Sequence, residues 1–385
     1  MSLRDFKTIK DRQNFLEKKL GHKLDAVKIY PQGLVAAQFK NCENMIGAVS
    51  VPLGVAGPIK ISGKFAHGDY YIPLATTEGA LVASVSRGCK AITYSGGAKV
   101  VTENIGITRG SIFKTENITE SFKLKTWLAA NFRLLAQMGE STSSHLKLIK
   151  LDSNIVGRNV FVRFYFDTSD AMGMNMATIA TDSIARLVEE KTGNRCISLA
   201  GNFDIDKKAA WLNFILGRGR SVWAEVILDF HIVKDVLKTT PAKIHEVAIT
   251  KCLIGGALSG SLGFNAHFAN VIAAIYIATG QDVAHTVEGS LGITSTELFS
   301  DKLYISIYLP DLPVGTVGGG TQLSAQKEAL NLLGIDGGKN GNNAAKFAEI
   351  VGGAVLAGEI SLLAALAQGS LARAHVTLAR RTRNT

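Results

Sequence analysis

Apolar side chains recur near helical spacing at the start of the chain. Phe6, Ile9, Phe15, Leu16 and Leu20, followed by Gly21, predict an amphipathic helix lying on the core or on another subunit. Residues 41–75 read as short strands and turns. Thr76 and Thr77 are N-cap candidates for a helix carrying Leu81, Val82, Val85 and Ile92, closed by Gly96-Gly97. From Gly110 to Gly201 the period changes. Ser111–Phe113 reads as a short strand, 119–139 as a helix and His145–Leu151 as a strand. Asn159–Phe166 is a strand with Val160, Val162, Phe164 and Phe166 on one face. Asp170–Lys191 is a long helix and Arg195–Leu199 a last strand. That order is βαββαβ, the ferredoxin-like arrangement. Beyond it lie a glycine-rich turn, Gly315–Thr321, two apolar helices, Ala344–Ala357 and Glu359–Leu371, and a basic tail. The expected organisation is a helical segment over 1–40, a large helix-rich unit formed by 41–109 and 200–385, and an inserted unit over 110–199. The fold class is α+β.

Length and composition narrow the class. A chain of 385 residues fits two or three domains. With 46% hydrophobic and 19% charged residues it can bury a large core and is not disordered. Arg4, Lys7, Lys10 and the Glu17–Lys19 run interrupt any apolar stretch at the start, so it is not a signal peptide. The neutral run from Cys252 to Gln281 is long enough to span a bilayer. It contains Gly255, Gly256, Gly260 and Gly263 with Asn265, His267 and Asn270, whose polar groups lipid cannot satisfy, so a buried helical hairpin near a site is expected and no membrane partner. Cys42, Cys89, Cys196 and Cys252 lie far apart and read as four reduced core thiols. No histidine pattern calls for a metal. The net charge of +10 suits polyanionic ligands, and no basic run interleaved with aromatics points to nucleic acid.

Neither a G-x-G-x-x-G nor a phosphate-loop motif is present, so no Rossmann reading has a motif behind it. Asp170-Ala-Met-Gly-Met-Asn-Met176 opens a helix after a strand, and a helix N-terminus suits pyrophosphate. An Asp cap above core methionines is the alternative. Lys207, in Asp206-Lys207-Lys208, is a candidate for oxyanion stabilisation or a Schiff base, or a solvated lysine. Glu78, in Thr76-Thr-Glu-Gly79, either complements a helix dipole or acts as a general acid, which needs burial or a nearby negative charge. Asp282 ends the neutral run and could be that neighbour or a helix cap. His375, in Ala372-Arg-Ala-His-Val, is structural, exposed, or an acid for a leaving group.

Together these segments resemble 3-hydroxy-3-methylglutaryl-coenzyme A (HMG-CoA) reductase of the type shared by eukaryotes and archaea. The resemblance runs from about Glu43 to Arg380 and rests on E-N-M-I-G-A-V-S-V-P-L-G-V-A-G-P, P-L-A-T-T-E-G-A-L-V-A-S, D-A-M-G-M-N-M, G-N-F-D-I-D-K-K, G-Q-D and G-T-V-G-G-G-T. It implies NADPH-dependent reduction of HMG-CoA to mevalonate and free CoA by two hydride transfers, with no metal and with NADPH rather than NADH. Glu78, Lys207, Asp282 and His375 match the family's catalytic residues. Arg109, Lys208 and Lys251 match positions near the substrate carboxylate or catalytic loop. Ser84, Arg87, Lys90 and His267 match coenzyme A contacts, and Asn270 falls nearer the acyl group. Asp170, Met172, Gly173, Met174 and Asn175 fall on the dinucleotide motif. The resemblance also implies a large HMG-CoA-binding domain, a ferredoxin-like NADP-binding insert, and a homodimer, or a tetramer, with active sites between subunits. Departures are Ala200 and Ala374, each where relatives carry serine, Ser144 in place of an arginine facing the 2′-phosphate, and Arg381 in place of a regulatory serine. With no eukaryotic membrane anchor, a cytoplasmic, archaeal protein is expected. A lysine Schiff-base aldolase using Lys207 and a catalytically silent coenzyme A-binding homologue remain alternatives.

Overall fold

The computed structural model describes residues 2–369. The strands are β1 (Leu53–Gly63), β2 (His67–Ala75), β3 (Ala98–Lys114), β4 (Lys147–Val156), β5 (Asn159–Asp167), β6 (Arg195–Ser198), β7 (Arg218–Leu228), β8 (Gly263–Phe264), β9 (Gly292–Phe299) and β10 (Lys302–Leu312). A mixed sheet runs β2-β1-β3-β7-β10-β9-β8. Its β1–β3 and β8–β9 pairs are parallel and the others antiparallel.

β3 serves two sheets. Residues 98–106 pair with β1 and β7, and residues 107–114 pair with β5 and β6. The short strand expected at Ser111–Phe113 is thus the end of a 17-residue strand. Gly106, at φ +91°, marks the crossing; a Cβ there would press into the backbone of Phe166. The second sheet runs β6-β3-β5-β4 with every pair antiparallel. The alternation read from Val160 to Phe166 is realised: all four side chains are fully buried, against Ala177, Ala180, Ile184 and Val188 of the helix Met174–Thr192. The helix expected over 119–139 is two, Ile118–Ala130 and Phe132–Glu140. They part at Asn131, whose side chain donates to the Trp127 carbonyl at 2.8 Å, a local bond that competes with helix continuation. The long helix begins at Met174 rather than Asp170, because Gly173 takes φ +92°.

The large sheet packs on one long helix, Asn342–Ala367, where two were expected. Gly358 does not interrupt it; a Cβ there would strike Val271, so the glycine lets the helix Phe268–Thr279 approach. This helix is long and apolar enough to cross a membrane, yet it forms the centre of the core, with Val351, Val355, Ile360 and Leu363 fully buried. Two glutamates inside it, Glu349 and Glu359, are also fully buried. Glu349 accepts from the amides of Lys64, Phe65 and Ala66, and Glu359 from those of Ala266 and His267 and from the Thr294 hydroxyl at 2.6 Å. Buried carboxylates persist when their oxygens are satisfied this way.

The N-terminal helix is Ile9–Leu20, capped by the Thr8 side chain and by Gly21 in the left-handed region. Ile9 packs it against Ala37 and Met45, and polar groups add to the anchor. Arg12 donates to the carbonyls of Met45 and Phe6, each at 2.8 Å, and Gln13 to that of Ile46 at 2.7 Å, while Leu20 stays exposed. The neutral run from Cys252 to Gln281 is only partly the expected buried hairpin. Cys252, Val271 and Ile272 are buried, but Ile254 and Leu258 are exposed. Two of the four cysteines are core thiols: burial pushes Cys89 and Cys252 each up to about 12. Cys42 is exposed and Cys196 half-buried.

Candidate active site

Lys207 sits on a strained loop. Asn202, Ile205 and Lys207 all take left-handed φ values, +60°, +51° and +58°, which L residues adopt rarely and β-branched ones least of all. Side chains from elsewhere hold the loop. Thr108 donates to the Asp204 carbonyl at 2.8 Å, Asn213 to that of Ile205 at 3.0 Å, and the Lys207 amide to Glu288 Oε1 at 3.0 Å. The result aims Lys207 Nζ at Asp282 Oδ2, 2.8 Å away, with both side chains partly open to solvent.

The hydrogen bond it donates to Asp282, with the negative charges of Asp282, Asp206 and Glu288 nearby, holds the Lys207 ammonium above its ordinary value. Burial alone would raise the Asp282 carboxyl. The Lys207 hydrogen bond, His285 and the Ala284 amide outweigh it, and Asp282 lies below its ordinary value. The two shifts agree: this is an ion pair, with the lysine kept cationic. Asp282 also caps the turn after it, accepting from the Ala284 amide at 3.1 Å.

Behind this pair lies a buried charge network that the sequence analysis did not single out. Arg218 is fully buried and reaches Asp206 at 2.9 Å, Glu288 at 3.0 Å, the Thr108 hydroxyl at 2.9 Å and Met174 Sδ at 3.0 Å. Its nearest approach to Asp311 is 3.9 Å. Asp311 is fully buried, and desolvation pushes its carboxyl up to about 8. His285 Nδ1 lies 2.6 Å from Glu288 Oε1. The available signal was the D-x-x-H-x-x-E spacing of Asp282, His285 and Glu288, which gathers three ionisable groups at one turn. Asp206, His285 and Glu288 have the spacing of metal ligands, but the Arg218 guanidinium already pairs with both carboxylates.

The other expected residues divide. Glu78 is exposed, its amide bonded to Thr76 Oγ1 and its carboxylate accepting from Asn270 at 2.9 Å. Its helix is Leu81–Tyr94, preceded by Ala80 at φ +80°, so neither threonine is the N-cap. Among the described residues no hydrogen bond or ion pair joins Glu78 to Lys207 or Asp282. Arg109 pairs with Asp204 at 3.2 Å and Asp206 at 3.8 Å, and its Nε is buried without a partner. Lys208 bonds the Asp206 carbonyl at 3.0 Å. Ser84 and Arg87 both turn inward to Ser361 of the long helix, at 2.9 and 3.0 Å. Lys90 is exposed over the Tyr94 ring. The His267 amide bonds Glu359, while its ring Nε2 is buried and unpartnered. Lys251 is exposed and lines an open groove of about 460 Å³ with Lys243, Thr250 and Leu366. His375 lies outside the described residues.

Of the dinucleotide motif, Asp170 is buried and fully engaged. It accepts from the amides of Lys339, Gly341 and Ala344, at 2.5, 2.8 and 2.9 Å, at the start of the long helix. Gly173 needs its φ of +92°, and a Cβ there would strike Thr168. It precedes the helix Met174–Thr192 without offering a side chain to its first amides. Met172 and Met174 are half-buried and Asn175 is exposed.

The family description "Hydroxymethylglutaryl-coenzyme A reductase" matches residues 8–380. The reductase of Methanocaldococcus jannaschii is 52% identical over 96% of this chain and 92% of its own length. That of Methanothermobacter thermautotrophicus is 50% identical over 97% and 93%. The Xenopus laevis reductase is 44% identical over 87% of this chain, which spans 39% of it. The class II reductase of Streptococcus pneumoniae, solved bound to NADPH, shares the fold, with a TM-score of 0.67, 19% identity and coverage of 95% of this chain and 100% of that one. The chain therefore belongs to the hydroxymethylglutaryl-coenzyme A reductase family, oxidoreductases of the mevalonate pathway.

Proposed function

We propose that the protein reduces HMG-CoA to mevalonate and free CoA with NADPH. The observation that carries this is the 2.8 Å Lys207–Asp282 ion pair on a strained loop, braced from behind by buried charges. An ammonium fixed in place before reaction stabilises negative charge developing on the acyl oxygen without reorganising solvent. Asp282 keeps that ammonium protonated. Glu78, oriented by Asn270, gives a proton to the aldehyde oxygen in the second half of the reaction, with the bound substrate supplying the burial that a general acid at this exposed position needs. His375 gives one to the departing coenzyme A thiolate. Arg109 and Lys208 face the substrate's terminal carboxylate.

The D-A-M-G-M-N-M segment fits a dinucleotide. The uncapped first turn at Met174–Met176, the close turn at Gly173 and the neighbouring Gly318–Gly320 leave backbone for a pyrophosphate to approach. NADPH, when bound there, supplies reducing equivalents twice per turnover. NADPH in the Streptococcus pneumoniae relative supports this choice. The antiparallel order β6-β3-β5-β4, with its own core, supports reading 110–199 as a ferredoxin-like NADP-binding insert beside a large HMG-CoA-binding domain. The protein acts in the cytoplasm as a homodimer, and exposed Leu53 and Val55 on β1 and Tyr71 on β2 support the pairing.

The raised Lys207 ammonium weighs against the aldolase reading, since Schiff-base formation needs the neutral amine. Spectrophotometric turnover of HMG-CoA with NADPH and NADH side by side tests the proposal. Oxidation of NADPH with release of free CoA is expected. Thioester binding without oxidation of either cofactor would establish the silent homologue instead, and a borohydride-trapped adduct on Lys207 would establish the aldolase.

A further inference from the structure

One carboxylate oxygen ties the interior to the reactive pair. Glu288 Oε1 receives the Lys207 amide at 3.0 Å, Arg218 at 3.0 Å and the His285 ring at 2.6 Å. The first of these bonds holds Lys207 at φ +58°, and that backbone turn directs Nζ toward Asp282. A non-glycine residue remains in such a conformation only when its surroundings fix it. Glu288 is therefore the clamp, and His285 orients the clamp.

His285 has a second face. Its side chain is 1% exposed, and Nε2 has no hydrogen-bond partner. That nitrogen points between Asp282 Oδ2, 3.6 Å away, and Asp206 Oδ1, 3.7 Å away. The imidazole thus lies among three carboxylates, two from its own turn and Asp206 from the Lys207 loop. Other ionisable groups around this network are Lys207, Arg218, Asp311 and Arg109, which reaches Asp206 at 3.8 Å, with the Tyr276 hydroxyl bonded to the Pro313 carbonyl. Nothing in the reaction scheme above uses His285.

We propose that His285 is a positioning residue for the reductase reaction: through Nδ1 it locks Glu288, and through Glu288 it holds Lys207 in line with Asp282. This rests on the assignment of Lys207 and Asp282 to the reacting site. The role belongs to Nδ1, so side chains that keep or lose a donor at that position separate it from simple packing. Asparagine places its amide nitrogen near Nδ1; glutamine places its own near Nε2; leucine has neither.

The test is steady-state kinetics of purified full-length protein with HMG-CoA and NADPH, with circular dichroism as a control of folding. His285→Leu is expected to lower kcat by about tenfold to a hundredfold, the cost of losing one hydrogen bond to a buried charge, with KM for HMG-CoA nearly unchanged. His285→Asn is expected to recover most of that loss and His285→Gln little of it. Glu288→Gln, which weakens the same clamp, should resemble His285→Gln. If the leucine variant does not fold, the asparagine and glutamine variants decide. Equal kcat in those two, or a loss confined to KM, overturns the proposal. A wild-type protein that turns over no HMG-CoA would instead overturn the assignment of function, and the two failures are distinct.

Discussion

Gln281 and Gly315 exchange two hydrogen bonds: the Gly315 amide donates to Gln281 Oε1 at 2.9 Å, and Gln281 Nε2 donates to the Gly315 carbonyl at 3.0 Å. The contact docks the G-Q-D turn on the glycine-rich loop. The next residue, Thr316, donates its amide to the Asp170 carbonyl at 2.8 Å, and Ala171 forms a bridge with Val317. Three motifs remote in sequence thereby stack into one support, with Asp282 at its edge. Gly280 and Gly320 meet backbone to backbone there, where a Cβ on either would collide.

Gln281→Leu should therefore loosen Asp282 without touching it. Gln281 is buried, so the variant strands the Gly315 amide and carbonyl away from water. A loss of about 2–4 kcal/mol in unfolding free energy is expected by denaturant titration, from two stranded groups. In the folded variant kcat should fall more than KM for HMG-CoA. Unchanged stability would show that the reciprocal bonds do not hold the turn.

Asp170 has a structural task that its place in the dinucleotide motif hides. Three amides at the start of the Asn342–Ala367 helix depend on it. Asp170→Ala should cost about 2–3 kcal/mol or more, since it removes a cap and leaves several donors unsatisfied. It should also raise KM for NADPH more than KM for HMG-CoA, because the same carboxylate fixes the loop before Gly173. A raised cofactor KM without any thermal destabilisation would mean that Asp170 touches the cofactor directly.

These two residues also show what was legible in the sequence. Glu78, Lys207 and Asp282 stand in motifs whose glycines and charges are visible locally, and the alternation from Val160 to Phe166 gives the second sheet one of its two inner strands. Whether Gly358 breaks a helix depends on Val271 packing against it, which no local pattern records. The same holds for β3, whose passage between two sheets is decided by partners on both sides. Arg218 was missed for a related reason. Its carboxylate partners arrive from a different strand, loop and turn, and nothing local in Gly217-Arg-Gly-Arg220 shows that its arginines are buried.

Lys207→Ala should reduce kcat by about 100- to 1,000-fold, the range for losing one preorganised group at a developing oxyanion. The variant should also move Asp282. With Lys207 gone, burial is opposed only by His285 and the Ala284 amide, so the carboxyl rises. In the wild type, the stability contributed by Lys207 is present below its ordinary value near 10.5 and is lost as pH rises through its higher folded value. That from Asp282 is present above 3.8 and is lost as pH falls through its lower folded value. Carbon-13 titration of the Asp282 carboxyl in both proteins checks the shift, and an unmoved midpoint would refute the coupling.

Asp311 gives the opposite pH dependence. Its carboxyl is raised from 3.8 to about 8 by full burial, only partly countered by Arg218. Between those values the native state keeps a proton that the unfolded chain has released. The native state then binds more protons, so this group makes stability fall as pH rises across that window and level off above it. Asp311→Asn keeps the shape, and its side chain cannot ionise. The stability of the variant relative to wild type should therefore climb from pH 5 to pH 8, on the order of a few kcal/mol in total, and then stay flat. Denaturant unfolding of both proteins at matched pH values measures the difference. Parallel profiles across that range would mean that Asp311 is ionised in the folded protein and that Arg218, at 3.9 Å, compensates it fully.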